Sequence, residues 1–575
     1  MDAQKTVKDL LQRIYGEATG TSAFQRIAPL IDRFPAQKRK KETRFSPEDA
    51  VLITYGDSLV QNGRAPLATL HDFARRYLKG AISTIHILPF FPYSSDDGFS
   101  VMDFGAVNPE LGSWQEVAAI GQDFQLMFDY VVNHFSAKSQ WFEYYLEGRE
   151  GFKEFAIAVD PSADLSLVTR PRSLPLLTQY TMRNGKIVHL WTTFSADQID
   201  FNFKSLDVLE KMVEVLLFYV AQGAAILRLD AIAYLWKEIG TPCIHLPQTH
   251  DMVKLFRSIL DCVAPDVLLL TETNVPHPEN ISYFGEGRDE AQMVYNFTLP
   301  PLLFYAFVTE DATVLSKWAQ GLQLPSADNT FFNFTASHDG IGVRPLEGIL
   351  PPKELDRLIE IVNANDGQVS HKQNADGSAS PYELNITYID AILADKTSEQ
   401  AAKFLASQAI QVVLPGVPAT YIHSLLGSRN WVEGVKQTGR ARTINRPKLP
   451  LEKVRAELSD PESFRSRVFF PYLNLLKLRR RQEAFHPNAG FAILDVDPKV
   501  FAIKRHRGDQ VIYALTNISA RPRRVSLRKL DLSAPTIDLV SGDRIDADLI
   551  ELKPYQFAWL THAAGFPAAR TVAAV

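Results

Sequence analysis

Cysteine is almost missing from this chain: Cys243 and Cys262 are the only two in 575 residues. That excludes a fold held by a disulfide framework, and two thiols in so long a chain read as reduced residues of a cytoplasmic protein. An excess of charge of one sign is missing too. The formal net charge is −5, which gives no reason to expect nucleic acid or an anionic membrane as partner. No apolar run reaches the ~18 residues that a membrane-spanning helix needs. The opening stretch, MDAQKTVKDLLQRIYG, has no basic patch followed by an apolar segment, so no secretory signal is expected. There is no repeat of fixed period and no long low-complexity segment. What is there is 46% hydrophobic, enough for a large core and more than one domain. Aromatic residues, at 11%, suit a sugar-binding enzyme and a large core equally.

The hydrophobic pattern gives the organisation. Val7, Leu10, Leu11 and Ile14 fall at helical spacing over residues 5–16, with Gly16 as a stop. Gln37 to Glu42 is basic and polar, as a linker is, and residues 1–48 are expected to form a helical N-terminal extension. From residue 49 eight short apolar runs recur, separated by helical patterns: Val51–Tyr55, Thr84–Pro89, Leu126–Val132, Ala225–Leu229, Val267–Thr271, Met293–Phe297, Phe331–Thr335 and Ile410–Leu414. Short strands that are apolar on both faces, each followed by a helix, are those of a parallel sheet, and eight such units make a closed (β/α)₈ barrel over 49–487. The gap between Val132 and Ala225 is too long for one crossover and places an inserted subdomain at about 137–203. Val500–Lys504 and Val511–Thr516 flank His506-Arg507-Gly508-Asp509 as a hairpin, and alternation continues to Phe557–Leu560. Residues 488–575 thus read as a C-terminal all-β domain ending in an Ala-rich tail, Ala563–Val575, expected to be disordered.

Barrel enzymes carry their chemistry at the C-terminal ends of the strands. There the third run reads Asp129-Tyr130-Val131-Val132-Asn133-His134, the fourth ends on Arg228-Leu229-Asp230, the fifth on Thr271-Glu272 and the seventh on Ser337-His338-Asp339. One such carboxylate alone is most simply a helix cap or the partner of an arginine. Four on one rim repel one another and lose solvation, which calls for a use. Paired carboxylates suit glycosyl transfer: one attacks the anomeric carbon, the other protonates the leaving oxygen, and a third steadies the oxocarbenium-like transition state. Glu272 follows Val267-Leu268-Leu269-Leu270, an apolar setting that raises a carboxyl pKa as an acid/base requires. Arg228 shares a strand face with Asp230, and its charge is expected to keep that carboxylate ionised.

These motifs resemble the α-amylase superfamily of glycoside hydrolases. DYVVNH at 129–134, RLDAIAY at 228–234, TETN at 271–274 and SHD at 337–339 stand in order in the family's four characteristic regions. The resemblance covers roughly residues 50–480. It implies Asp230 as nucleophile, Glu272 as acid/base and Asp339 as transition-state stabiliser, with Arg228, His134 and His338 in the glucose subsite. HILPFFPYSSDDGFS at 86–100, HDGIGV at 338–343, LPGVP at 414–418 and TINR at 443–446 are similar to the sucrose phosphorylase group. That likeness puts Asp96 and Arg446 at the far end of the glucose, Phe99 and Phe194 on its ring and Gln198 nearby. It implies a retaining enzyme that needs no metal or other cofactor and takes inorganic phosphate as the acceptor, releasing α-glucose 1-phosphate.

The chain departs from that group at the acceptor side. Asn274 stands where sucrose phosphorylases carry a histidine, and Tyr382-Glu383 where they carry Tyr-Gln. TETNVPH, PYELN and the longer N-terminal extension are similar to the glucosylglycerate phosphorylase branch, whose acceptor, D-glycerate, is an anion. Arg172, within Arg170-Pro171-Arg172-Ser173, and Arg344, just after HDGIGV, are the candidates to hold a carboxylate or the phosphate. The plainer reading of Arg344 is a loop arginine paired with a neighbouring acid. Tyr234 and Trp236 are packing aromatics or acceptor contacts, and His277 and Glu279 do not belong to a converging ligand set. The expected function is reversible phosphorolysis of 2-O-α-D-glucosyl-D-glycerate. Sucrose, sucrose 6-phosphate or glucosylglycerol phosphorolysis, and α-glucoside hydrolysis, remain alternatives. The expected partners are small molecules, a sugar and phosphate, and a homodimer is left open.

Overall fold

The computed structural model describes residues 3–35, 39, 42–374, 376–393, 399–532 and 535–562. Eight parallel strands close into a barrel: β1 (Val51–Thr54), β2 (Thr84–Ile87), β3 (Gln125–Val131), β4 (Ala224–Asp230), β5 (Leu268–Thr271), β6 (Met293–Tyr295), β7 (Thr330–Phe334) and β8 (Val417–Tyr421). Neighbours in the ring are neighbours in the chain, and β8 pairs with β1 to close it. Nearly every strand residue is buried, because inward side chains fill the barrel and outward ones meet helices. The helix after β1, Pro66–Tyr77, shows why the outer ring forms. Leu67, Leu70, Phe73 and Ala74 recur at helical spacing and are buried, and Pro66 sits at the first turn, where a missing N–H does no harm. The helix after β2, Trp114–Gly121, opens on a capping box in which Ser113 and Glu116 satisfy each other's backbone N–H groups.

Seven of the eight apolar runs lie on barrel strands. The eighth does not: Ile410–Leu414 is the end of the helix Gln400–Val413, and the last strand is Val417–Tyr421. Lys403 through Val413 is buried on every side, so this helix has no polar stripe to betray its period. The true strand carries Pro418 one residue in from its start, just after Gly416, and reads as a turn. One glutamine of the buried helix serves the barrel: Gln411 donates to the carbonyls of Asn333 and Ala419 at 2.8 and 2.7 Å, joining β7 to β8.

Two insertions rise over the C-terminal rim. The one after β3 carries the helix Gln140–Glu147, a hairpin of Leu177–Thr181 with Ile187–Trp191, and the strand Gln198–Asp200 paired with His134–Ser136. The one after β7, which no sequence pattern announced, is an antiparallel sheet of Ile341–Gly342, Ala379–Asn385 and Gln368–Gln373. At the N-terminus α1 (Ala3–Tyr15) buries Val7, Leu10, Leu11 and Ile14, and α2 (Glu17–Asp32) follows. Gly20 lets the two helices approach closely, since a Cβ there would lie 2.4 Å from the Gln12 Cα. Tyr15 donates to the Phe203 carbonyl at 2.7 Å and packs on Trp236, so the extension braces the insertion and the loop after β4. Of the polar stretch Gln37 to Glu42, only Arg39 and Glu42 are among the described residues, and the tail Ala563–Val575 lies outside them. The C-terminal sheet is antiparallel, and its hairpin strands Val500–Arg507 and Gln510–Asn517 run through His506 and Arg507 to a tight turn at Gly508-Asp509. No helix among the described residues is long and apolar enough to cross a membrane.

One arginine ties the seam where the barrel closes. Arg479, at the end of the helix Phe464–Arg479, is fully buried and donates to the carbonyls of Pro47, Asp49, Val412, Gly416 and Phe485 at 2.9–3.2 Å. These carbonyls lead into β1 and β8 and out of the last barrel helix. Burial brings its pKa down only to about 10, so it stays charged at neutral pH. Replacing it by methionine leaves the carbonyls without a donor, and each lost bond to a charged group is worth roughly 1.5–3 kcal/mol. Arg479→Met is therefore expected to melt several degrees lower by calorimetry while the residual folded protein keeps its kinetics. An unchanged melting temperature would remove the seam from this account.

Candidate active site

The rim of the barrel gathers the ionisable groups around Arg228. It lies two residues before Asp230 on β4, and alternation along the strand puts both side chains on the barrel interior. The guanidinium is 2% exposed. Its Nη1 donates to Asp129 on β3 and, at 2.8 Å, to Asp230, while Nη2 lies 4.0 Å from Glu272 beyond β5. Asp129 is held from its other side by His86 of β2 at 2.7 Å. Ala231, directly after Asp230, adopts the left-handed conformation (φ 52°), strained for a residue with a Cβ. That turn aims its N–H at Glu272 Oε2, 3.1 Å away, so the peptide after one carboxylate holds the other.

Burial sets the charge state. It pushes the carboxyls of Asp230 and Glu272 up to about 7, with Arg228 opposing and the other acids adding to the rise. The two titrate as a pair. Asp230 bonds Arg228 directly at 2.8 Å, whereas Glu272 stands 4.0 Å off and accepts the Ala231 N–H instead. The expectation that Arg228 would keep Asp230 ionised is thus modified, because burial and the neighbouring acids outweigh the guanidinium. Asp339 goes the other way. Burial would raise it, but Arg442 at 2.7 Å, with His338, Arg228 and Arg446, holds it well below the usual carboxylate range.

The cavity over these acids is walled by Asp96, Phe99, His134, Arg172, Phe194, Gln198, Arg228, Asn274, His338 and Tyr382, together with Asp230, Glu272 and Asp339. Phe99 stacks on His338 at 4.7 Å between ring centres, with Arg228 5.5 Å from its ring centre. His134 lies 2.8 Å from the Phe99 carbonyl and beside Gln198. Asp96 and Asp97 both take positive φ (53° and 48°) in the turn that turns Asp96 inward. Also in the wall, Arg172 lies over the Tyr382 ring at 5.4 Å and makes no ion pair with an acid among the described residues. Buried Nδ1 of His338 and Oδ1 of Asn274 have no hydrogen-bond partner among the described residues.

Four expected residues stand elsewhere. Asp129 is a strand-end acid in sequence, but it lies inside β3 beneath Arg228 and does not line the cavity. Arg446 is one layer back: it pairs with Asp97 at 2.5 Å, donates to the His338 carbonyl at 2.9 Å, and faces an adjoining outer cavity. Glu383 is also in that outer wall, bound to Arg442. Arg344 opens a short turn that carries it off the cavity to Glu347, 3.6 Å away, which is the plainer reading given above, although its charge still reaches the hydroxyls of Tyr234 and Tyr382. Tyr234 is a wall residue and Trp236 is a packing one. Arg442 was missed although it abuts the TINR motif; nothing in the sequence says which arginine of that turn faces inward. Among the described residues no group of three or more His, Cys, Asp or Glu is arranged to hold a metal ion.

A closed parallel barrel with buried carboxylates on three strand ends and a β domain behind it defines an enzyme of the α-amylase class, and the family "Alpha amylase, catalytic domain" matches residues 76–339. A glucosylglycerate phosphorylase of Spirochaeta thermophila is 48% identical over 98% of this chain and 99% of its own length. One of Escherichia coli K12 is 45% identical over 97% and 100%. The crystal structure of sucrose 6F-phosphate phosphorylase from Thermoanaerobacter thermosaccharolyticum matches with a TM-score of 0.72 and 26% identity, covering 82% of this chain and 94% of that one. The chain belongs to the glycoside phosphorylases of the α-amylase family.

The raised carboxyl pKa makes a stability prediction. An acid whose pKa is higher folded than unfolded holds more protons in the folded state between the two values, so stability falls as pH climbs through that window. For Glu272 the window runs from the ordinary 4.5 to about 7. Glu272→Gln is therefore expected to match the native melting temperature near pH 4.5 and to exceed it increasingly up to pH ~7.5. A difference that does not change with pH would contradict the charge state described.

Proposed function

We propose that the chain catalyses reversible phosphorolysis of 2-O-α-D-glucosyl-D-glycerate to α-D-glucose 1-phosphate and D-glycerate, by two displacements at C1 with net retention. Asp230 is the nucleophile: its carboxylate attacks C1 and forms a β-glucosyl ester. Glu272, which stands farther from Arg228 than Asp230 does, holds the proton and gives it to the departing glycerate oxygen. Phosphate then gives a proton back to Glu272 and attacks the ester from the face the acceptor left. Asp339, kept anionic by Arg442, steadies the oxocarbenium-like charge. Arg228, His134, His338, Asp96 and Gln198 meet the glucose hydroxyls, and Phe99 and Phe194 cover its ring. Arg446 supports the far end of the sugar from behind, through the His338 carbonyl and Asp97. The unpaired buried polar atoms of His338 and Asn274 suit a hydroxylated ligand. Cys243 and Cys262 are not joined in a disulfide, which fits the proposed cytoplasmic setting.

One observation carries the choice of an anionic acceptor and of phosphate: Arg172 lines the same cavity as the acids and has no acid partner among the described residues. A guanidinium left in that state selects a carboxylate or phosphate. Asn274 and Tyr382 complete that wall. The relatives named glucosylglycerate phosphorylase, alike over the full chain, support the same substrate.

The test is to incubate 2-O-α-glucosylglycerate, sucrose, sucrose 6-phosphate and glucosylglycerol with and without phosphate, and to quantify glucose 1-phosphate against free glucose. Phosphate-dependent glucose 1-phosphate from the glycerate glucoside is expected, and Asp230→Ala abolishes it with the fold intact by circular dichroism. Free glucose dominating in saturating phosphate would replace this reading by hydrolysis. Arg172→Ala is expected to raise KM for glycerate in the synthetic direction by about 10–100-fold, the worth of a charge-assisted bond. Its KM for glycerate staying at the native value would take Arg172 out of the acceptor site.

A further inference from the structure

Glu383 stands where an acceptor contact is expected, yet the structure gives it other work. Its carboxylate is 3% exposed and bound on three sides. Arg442 Nη2 donates to Oε1 at 3.0 Å and Arg442 Nε to Oε2 at 3.1 Å, the two-pronged geometry that fixes a guanidinium in plane and direction. The backbone N–H of Gly340 donates to Oε1 at 2.8 Å. The remaining prong of Arg442, Nη1, reaches Asp339 at 2.7 Å. The strand carrying Glu383 pairs with Ile341–Gly342, the residues that leave Asp339, in the register Gly342 opposite Glu383. Gly340 has no room for a side chain: a Cβ would lie 2.6 Å from both Glu383 Cγ and the Leu384 carbonyl oxygen. Asn445 donates to the Ser337 carbonyl at 2.6 Å and Arg446 to that of His338 at 2.9 Å, so the turn bearing Arg442 grips the backbone of the same loop.

We infer that Glu383 is a positioning residue that acts through Arg442 on Asp339 and touches neither substrate. The inference rests on the role proposed above for Asp339. Arg442 without Glu383 is a long side chain with one anchor, and Asp339 is then free to turn with it. With Glu383 the guanidinium is locked at both ends, and the Asp339 carboxylate is presented to the sugar in a single orientation. A glutamine at this position keeps the bond from Gly340 and loses the charge that holds the fork. Its effect therefore falls on glucosyl transfer itself, whatever the leaving group or acceptor.

The experiment uses α-D-glucosyl fluoride, a donor whose leaving group needs no acceptor subsite, beside the glycerate glucoside. Glu383→Gln is expected to lower kcat about tenfold with both donors, the worth of one charge-assisted bond, and to leave KM for glycerate near the native value. Glu383→Asp, which keeps the charge on a shorter arm, is expected to recover part of kcat. Arg442→Lys is expected to cost as much as Glu383→Gln, and the double variant little more than either, because the two residues act as one unit. A loss confined to the glycerate glucoside, or a raised KM for glycerate with normal fluoride turnover, would make Glu383 an acceptor contact and overturn the inference. Additive losses in the double variant would overturn it as well. Native enzyme that fails to turn over the fluoride would instead contradict the glucosyl-transfer reading on which it rests.

Discussion

The site depends on one buried guanidinium. Arg228 is surrounded by three carboxyl groups from three adjacent barrel strands, and nearly all of it is out of water. A charge so placed is stable only if it is paired, and three acids so placed repel one another unless something positive stands between them. Each therefore requires the other. Asp129, with His86 behind it, anchors the arginine from below and takes the strongest share. Burial pushes the carboxyls of Asp230 and Glu272 up, and Arg228 opposes it unequally, from 2.8 and 4.0 Å. On the proposed mechanism this asymmetry is the division of labour between nucleophile and acid. It comes from geometry fixed by the barrel register, since Asp129 pairs with Arg228 across β3 and β4 and Arg228 with Leu270 across β4 and β5.

The rest of the structure holds that centre at a fixed distance from its substrates. The rim is built from separate segments whose side chains are coupled by ion pairs and backbone bonds rather than by chain continuity. The turn at 441–446 grips the loop after β7, and Arg446 joins it to the strained turn at Asp96-Asp97. Lys237, after β4, bonds Asn133 at 2.8 Å and Asp200 of the first insertion at 2.5 Å, all three buried, which ties the insertion to the base of His134. The N-terminal helices reach the same region through Tyr15. On the far side of the barrel, Arg479 does comparable work on carbonyls alone.

How much of this could be read from the sequence follows from what each signal depends on. Asp230 and Glu272 were legible because a residue at the end of a buried parallel strand has little choice of where to stand; Asp339 lies in the loop beyond β7, and its SHD motif marks it. Phe99, Phe194, Gln198 and Arg172 came through resemblance of motifs, and the structure brings them to the same cavity. Residues one layer behind the wall were not legible. Asp129 obeys the strand-end rule yet lies beneath Arg228, and of the two arginines four residues apart on one short turn, Arg442 reaches the inner cavity while Arg446 lines only the outer one. The last barrel strand was hidden because the helix before it is buried all round and the strand holds a proline. The motif alone points Glu383 to the acceptor; only side-chain geometry reveals that it faces an arginine.

The central claim is that Arg228 leaves Asp230 ionised to attack and Glu272 protonated. The most direct measurement is to expose Glu272→Gln enzyme to α-D-glucosyl fluoride, quench, digest and locate any glucosyl adduct by mass spectrometry. The fluoride departs without acid help, while the amide cannot activate an acceptor to release the ester. The account predicts a glucose residue esterified to Asp230. No adduct on turned-over enzyme, or an adduct on another carboxylate, would contradict it.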